Sequence, residues 1–124
     1  MRFLIILPSS LLVLVAIAII GSNRRTPDPQ TLYPAPQSSE EFLERGELYE
    51  KAGDYDQALS DYEQAVQLNP NDSDGYLGQG SVLSALNRPD AAIENYLTVK
   101  EIDQQNGVST RIVEYLIDKE KEKL

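Results

Sequence analysis

Residues 39–72 read SEEFLERGELYEKAGDYDQALSDYEQAVQLNPND, and residues 73–106 read SDGYLGQGSVLSALNRPDAAIENYLTVKEIDQQN, so that one pattern of 34 positions occurs twice. When the two stretches are aligned without gaps, aromatic, small and aliphatic residues coincide. The coinciding pairs are Phe42 with Tyr76, Leu43 with Leu77, Gly46 with Gly80, Ala58 with Ala92, Leu59 with Ile93, and Tyr62 with Tyr96. Self-similarity at a period of about 20 to 50 residues is typical of proteins that stack repeated units.

Each copy contains two helical stretches separated by a turn. In the first copy, Phe42, Gly46 and Tyr49 recur at intervals of three and four residues, which is the spacing of one helix face. A turn then interrupts this spacing. Asp54 is expected to cap the second helix, with Gln57 three residues later as its reciprocal partner.

Two prolines mark helix boundaries. Pro70 prevents the second helix of the first copy from continuing, because proline has no amide hydrogen and clashes with the preceding turn. Pro89 follows a turn at Asn87 and Arg88, and it suits the first position of a helix. Small residues at the paired positions allow the two helices of a copy to approach closely. The sequence therefore predicts two antiparallel helical hairpins.

This pattern resembles that of the tetratricopeptide repeat family, in which units of 34 residues carry an ordered series of aromatic and small residues and a closing proline. The matching residues are Phe42, Gly46, Tyr49, Ala58, Tyr62, Ala65 and Pro70 in the first copy, and Tyr76, Gly80, Ala92 and Tyr96 in the second. The resemblance implies an all-α fold, a short solenoid with one repeat at 39–72 and another at 73–106.

Five positions depart from the family pattern. Arg45 and Gln79 stand where the family usually has leucine, and Leu83 replaces a tyrosine. Lys100 replaces a small residue, and Gln105 replaces the closing proline. The end of the second repeat is therefore degenerate, which leaves its connection to the next helix open.

In the resembled family, the first helix of each repeat lines a concave groove that takes extended or helical peptides. The resemblance places seven candidate groove residues here, which are Leu43, Glu47, Glu50, Leu77, Ser81, Ser84 and Arg111, with Glu40, Asp74 and Tyr115 beside them. Some family members grip a peptide's terminal carboxylate with basic residues and asparagine at these places. Because Leu43, Glu47, Leu77 and Ser81 occupy them here, we expect a partner with apolar and basic residues instead.

Composition and charge exclude several classes of function. The chain has no cysteine and no histidine, so the thiol nucleophile, the commonest general base and the usual transition-metal ligands are missing. Residues 26–124 hold eight bases against 20 acids, a net charge of −12 that should repel nucleic acid. The acidic run 71–75 lacks the register of a calcium loop. We expect no enzyme activity, no cofactor and no metal.

The N-terminal segment, residues 1–22, is predicted to be a single transmembrane helix. Phe3 to Ile20 contains no charged residue, and as a helix it would span about 27 Å of a hydrocarbon core about 30 Å thick. A cleaved signal peptide is the alternative, since Ala16 and Ala18 satisfy the small-residue rule for cleavage. Arg2 precedes the span, whereas Arg24 and Arg25 follow it. If the terminal amine is capped, the larger positive charge lies after the span, and the repeats are then expected on the cytoplasmic side of the membrane.

The remaining segments connect and close the repeats. Four prolines in the linker, residues 23–38, favour an extended chain that spaces the repeats from the bilayer. Residues 107–124 are predicted to form a capping helix that begins after Ser109. Its apolar stripe comprises Ile112, Val113, Leu116 and Ile117. Because repeat arrays need a terminal helix with one polar face, we expect this helix to close the stack.

Together these features predict a membrane-tethered module for protein–protein interaction, such as an adaptor or assembly factor for a membrane complex. Two alternatives stay open, namely a permanent structural subunit of such a complex and an exported repeat protein that has lost a signal peptide. The sequence names no partner.

The retained anchor can be tested by the intact mass of the protein isolated from its own membranes. We expect the full chain of 13.8 kDa, because a span of this length favours retention. A mature chain that begins near Ile19 would contradict the anchor and support the signal peptide.

Overall fold

The computed structural model describes residues 28–124, which form helices, turns and no strand. The transmembrane span predicted for residues 1–22 and the start of the predicted linker lie outside the described residues. Within the described part of the chain, no helix is both long and apolar enough to cross a membrane. The helices are α1 (Pro29–Leu32), α2 (Ser39–Ala52), α3 (Tyr55–Leu68), α4 (Ser73–Ala85), α5 (Pro89–Gln105) and α6 (Arg111–Lys121).

The helix ends are set by capping residues that the sequence signals well. The side chain of Asp54 accepts a hydrogen bond from the Gln57 amide at 3.4 Å, which confirms Asp54 as the cap of α3. Pro89 occupies the first turn of α5, as predicted. Gly53 ends α2 in the left-handed region at φ 79°, where glycine has no steric penalty.

Close contacts between glycine and tyrosine hold the helices together. A Cβ at Gly46 would lie 2.9 Å from the ring of Tyr62, and a Cβ at Gly78 would lie 2.6 Å from the same ring. The Tyr62 ring of α3 therefore packs against both α2 and α4. Tyr96 of α5 packs against Gly80 in the same way. The repeats thus stack in order, as the sequence predicts for an all-α solenoid.

The core extends through both repeats and onto the last helix. Tyr62 and Val82 are among the largest fully buried side chains, and Leu59 packs against both halves of the core. Val113 and Ile117 of α6 are buried against the second repeat. Ile112 is different, because 76% of its surface is exposed. The predicted apolar stripe of α6 was therefore wrong at Ile112.

Arg45, which stands at a family leucine position, forms a buried ion pair with Asp61 of α3. Its Nε donates to Asp61 Oδ2 at 2.7 Å, and its Nη2 donates to Oδ1 at 2.6 Å. Asp61 is only 2% exposed. The guanidinium also lies over the rings of Phe42 and Tyr49, at 5.7 and 5.8 Å. The positive charge of Arg45 is therefore paired with a buried carboxylate at the outer edge of the first repeat.

Residues 28–37, which we call the strap, lie along α2 on the edge that begins the array. The Gln37 amide donates to Glu41, and Arg45 Nη1 donates to the Tyr33 carbonyl at 3.0 Å. The Tyr33 hydroxyl donates to Glu44. Pro29 is buried. The extended chain that we predicted for this part of the linker was therefore wrong at α1, where one helical turn forms.

The last helix begins later than the repeat period implies. Its first residue is Arg111, whereas a period of 34 counted from α4 would start it at residue 107. The cause is the length of α5, which has 17 residues where α3 has 14. Thr110, and not the predicted Ser109, occupies the N-cap position of α6. Its side chain accepts no hydrogen bond from the backbone amides of the first turn.

Two contacts on opposite flanks orient α6. On one flank, Lys100 of α5 lies 2.9 Å from Glu114. On the other, Lys123 just past the helix donates to Ser84 of α4 at 2.9 Å.

The Arg45–Asp61 pair should be required for stability. Asp61→Leu leaves the Arg45 guanidinium buried without its partner, and we expect the free energy of unfolding to fall by about 3 kcal/mol. The measurement is a urea titration of the full chain followed by circular dichroism. The double variant Arg45→Leu/Asp61→Leu should recover part of the loss, since neither charge then remains.

Glu63→Leu provides a matched control, because it removes an exposed carboxylate from the same helix. We expect it to change stability by no more than about 0.5 kcal/mol. Equal stability of Asp61→Leu and the unsubstituted chain would contradict a structural role for the pair.

Candidate peptide-binding groove

A groove of about 630 Å³ lies on the concave face between α2 and α4. The residues that line it come from α2, α3 and α4. They are Leu43, Glu47, Glu50 and Lys51 of α2, Tyr55 and Tyr62 of α3, and Asp74, Leu77, Gly78, Ser81 and Ala85 of α4. Its volume is in the range of about 300 to 1,000 Å³ that is usual for ligand pockets.

The floor of the groove is made by Tyr62 and Gly78. The tyrosine ring comes from the second helix of the first repeat and passes below the gap between the two first helices. Because Gly78 has no side chain, the ring reaches the backbone of α4. Leu43 and Leu77, each the fifth residue of its helix, stand on either side. The result is an apolar strip at the bottom of the groove.

Glu50 joins three helices at one end of this strip. Its Oε2 accepts a hydrogen bond from the Tyr62 hydroxyl at 2.7 Å, and its Oε1 accepts one from Ser81 Oγ at 2.6 Å. Burial and the bond to Glu50 raise the pKa of the Tyr62 hydroxyl. Both donors are neutral, so they hold the carboxylate in place without cancelling its charge.

Two more carboxylates face the groove, from Glu47 and Asp74. Burial raises the pKa of Asp74 above its ordinary value, and the negative charges of Asp72, Asp103 and Glu47 raise it further. Lys51 is the one cation among the lining residues, and its Nζ lies 3.6 Å from Glu47 with both side chains largely exposed. Such pairs are screened by water. The groove therefore carries an excess of negative charge.

The structure places five of the seven predicted groove residues around this cavity. These are Leu43, Glu47, Glu50, Leu77 and Ser81. Ser84 lies outside the lining, because its hydroxyl donates to Glu120 of α6 at 2.5 Å. Arg111 lies outside it too, as the exposed first residue of α6.

The late start of α6 places Arg111 in its first turn. Ile112 and Tyr115, which follow it on this helix, are 76% and 65% exposed.

The sequence argument missed five of the lining residues, namely Lys51, Tyr55, Tyr62, Gly78 and Ala85. Tyr62 belongs to a second helix, and the resemblance directed attention only to first helices. The signal that could have found it is the glycine at position 78, since a residue without a side chain leaves room for a ring from a neighbouring element.

Within residues 28–124, no three acidic side chains lie close enough together to hold a metal ion. The polar groups of the floor are hydrogen-bonded to one another. Docking of a peptide or a helix is what an open groove of this shape and charge supports.

Comparison with known proteins agrees with this architecture. A family model described as tetratricopeptide repeat matches residues 39–72, and a second model with the same description matches residues 61–94. A search of curated proteins gave no significant match.

Solved structures share the fold at low sequence identity. The TPR2B domain of yeast Sti1 in its pHsp70 complex superposes with a TM-score of 0.76 at 18% identity, over 94% of this chain and 98% of that one. The TPR2AB domain of yeast Sti1 in its pHSP90 complex gives 0.74 at 18% identity, over 91% of this chain and 46% of that one. At this identity the similarity establishes the fold alone.

The hydroxyl of Tyr62 should stabilise the groove floor through Glu50. Tyr62→Phe keeps the ring against Gly46 and Gly78 but removes one donor from a carboxylate. We expect the free energy of unfolding to fall by about 1 to 2 kcal/mol, measured by urea titration. Tyr115→Phe removes a hydroxyl from an exposed ring and should change it by less than about 0.5 kcal/mol. Equal effects of the two variants would contradict this role of Glu50.

Proposed function

Because residues 39–94 belong to the tetratricopeptide repeat family, we propose that the groove docks a protein segment that carries both apolar and basic side chains. The observation that carries the proposal is the combination of an apolar floor with an excess of carboxylates in one cavity. An aliphatic side chain would pack between Leu43 and Leu77, and a lysine or arginine would approach Glu50.

The structural neighbours support a peptide ligand in general, since one is a complex with pHsp70 and the other with pHSP90. The charge of this groove supports a different kind of ligand. Glu47 and Glu50 on one side and Asp74 on the other would repel a free terminal carboxylate. A cationic side chain would instead reduce the mutual repulsion of these groups, which adds to its attraction.

We further propose that the N-terminal segment tethers this module to a membrane. The support is the uncharged stretch from Phe3 to Ile20, which is long enough to span a bilayer. A single-pass anchor with cytoplasmic repeats would suit an adaptor or assembly factor that recruits a protein to a membrane complex. A permanent structural subunit is the alternative, and fixed stoichiometry with a complex would favour it.

The ligand class can be tested with two short synthetic peptides of equal length, one of leucine and lysine and one of leucine and glutamate. The full chain in non-ionic detergent micelles is titrated with each, and fluorescence anisotropy reports binding. We expect only the lysine peptide to bind, because the groove attracts cations. Tighter binding of the glutamate peptide would contradict the proposal.

Two double variants locate the binding. Glu47→Gln/Asp74→Asn removes two groove charges and should weaken the lysine peptide about three- to ten-fold, since exposed ion pairs contribute about 0.2 to 1 kcal/mol each. Asp90→Asn/Glu94→Gln removes two exposed charges from α5 and serves as the matched control. Equal loss in both variants would mean that net charge alone attracts the peptide.

A further inference from the structure

We propose that the outward face of α6 pairs with the same face of a second copy of this chain, with the two helices antiparallel. The face comprises Arg111, Ile112, Tyr115, Asp118 and Lys119, all of which are exposed. None of them lines the groove, so the inference is independent of the proposed function. It names an interaction surface and the partner that fits this surface.

The core contacts of α6 come from one side of the helix. Val113, Ile117 and Glu120 are buried, and the helix lies mainly against α5. Because each residue advances the helix by about 100°, Tyr115 lies about 140° to 160° around the helix from these three residues. Tyr115 therefore points away from the repeats, and 65% of its surface is exposed.

Ile112 lies beside Tyr115 on the outward face, with 76% of its surface exposed. In residues 28–124, no other large apolar side chain within a helix is as exposed as these two. Contiguous exposed apolar surface with a polar rim is typical of sites of protein–protein contact. The outward face of α6 is therefore a candidate for such a contact.

The residues around Tyr115 are arranged symmetrically. Arg111 and Asp118 are seven residues apart, so they lie nearly on one line along the helix, to one side of Tyr115. Ile112 and Lys119 are also seven residues apart and lie to the other side. Each of these four residues lies about 40° to 60° around the helix from Tyr115. The midpoint of each pair falls within half a residue of Tyr115.

This pattern is complementary to itself when two copies of α6 lie antiparallel. A two-fold axis at Tyr115 brings Arg111 of each copy to Asp118 of the other, which gives two ion pairs. It also brings Ile112 of each copy to Lys119 of the other, whose aliphatic stem can cover the isoleucine while the ammonium stays in water. The two Tyr115 rings meet at the axis. A closed pair of this kind, in which both copies use the same surface, is the commonest form of oligomer.

The charges favour this arrangement over the alternatives. A parallel pair would place Arg111 against Arg111 and Asp118 against Asp118, and like charges repel. Residues 26–124 carry a net charge of −12, so two copies repel each other over most of their surface. On the outward face of α6, however, Arg111 and Lys119 balance Asp118 and Glu122. This face is therefore one on which a second copy meets little repulsion.

The existing partner of Asp118 does not compete strongly with the second copy. Its Oδ1 lies 3.6 Å from Lys121 Nζ, and both side chains are largely exposed. Such pairs contribute little, because water screens them. Asp118 can therefore exchange Lys121 for Arg111 of the second copy.

The pairing is expected to be weak, because each copy contributes one helix of 11 residues. Stable complexes bury about 800 Å² per partner, which is more than one short helix offers. The fraction of dimer should therefore rise as the protein concentration is raised.

An exchange of charges on α6 tests the pairing. The full chain in non-ionic detergent micelles is followed by analytical ultracentrifugation over a series of concentrations. We expect Arg111→Asp to weaken dimerisation about ten-fold, because both ion pairs become contacts between carboxylates. Arg111→Asp/Asp118→Arg exchanges the two charges and should dimerise nearly as well as the unsubstituted chain.

Arg88→Asp is the matched control, because it changes the net charge equally at an exposed position in the turn before α5. It should leave dimerisation nearly unchanged. All the substituted side chains are exposed, so each variant should keep the circular dichroism spectrum of the unsubstituted chain.

A disulfide tests the contact and its orientation. The chain has no cysteine, so Tyr115→Cys introduces one thiol at the proposed axis, and mild oxidation should link two chains there. Glu122→Cys places a thiol on the same face. An antiparallel pair separates the two copies of this position by about 21 Å along the helix, so it should stay unlinked.

The outcomes decide between pairing and its alternatives. Restored dimerisation in the exchanged variant, with linking at Tyr115→Cys but not at Glu122→Cys, supports the antiparallel pair. A monomer at every concentration, or equal dimerisation in Arg111→Asp and the unsubstituted chain, overturns the pairing through α6. Equal linking at both cysteine positions overturns the antiparallel orientation. None of these results bears on the groove, which the peptide titration tests separately.

Discussion

The contact between tyrosine rings and glycine backbone is the constraint on which the rest of the structure depends. Tyr62 occupies space that a side chain at Gly46 or Gly78 would fill, so one ring sets the separation of α2, α3 and α4. The same ring forms the floor of the groove and donates to Glu50. Packing and candidate function therefore share one residue, and the depth of the groove follows from the spacing of the helices.

Polar groups at the two ends of the array explain how a pair of repeats is closed. Arrays usually need about three or more repeats, with terminal units that differ from the rest. Here Arg45 pairs with Asp61 and receives the strap at one end. At the other end, α6 covers the second repeat with Val113 and Ile117. Ser84 was expected in the groove but serves this closure instead, through Glu120.

The groove combines an apolar floor with an excess of negative charge. A shared fold does not determine a ligand, because ligand choice depends on the side chains that the fold presents. In this chain an apolar strip is bordered by carboxylates.

The sequence by itself determined the helices α2 to α5, the cap at Asp54 and the first-turn position of Pro89, which follow from helical spacing, turn chemistry and the period of 34. The five lining residues on α2 and α4 were expected from the family resemblance. Only the tertiary structure decided the place of Arg45, the course of the strap and the register of α6. Arg45 is satisfied by a residue sixteen positions away. The register of α6 depends on where α5 ends. Local spacing in the sequence predicts neither this end point nor the partner of Arg45.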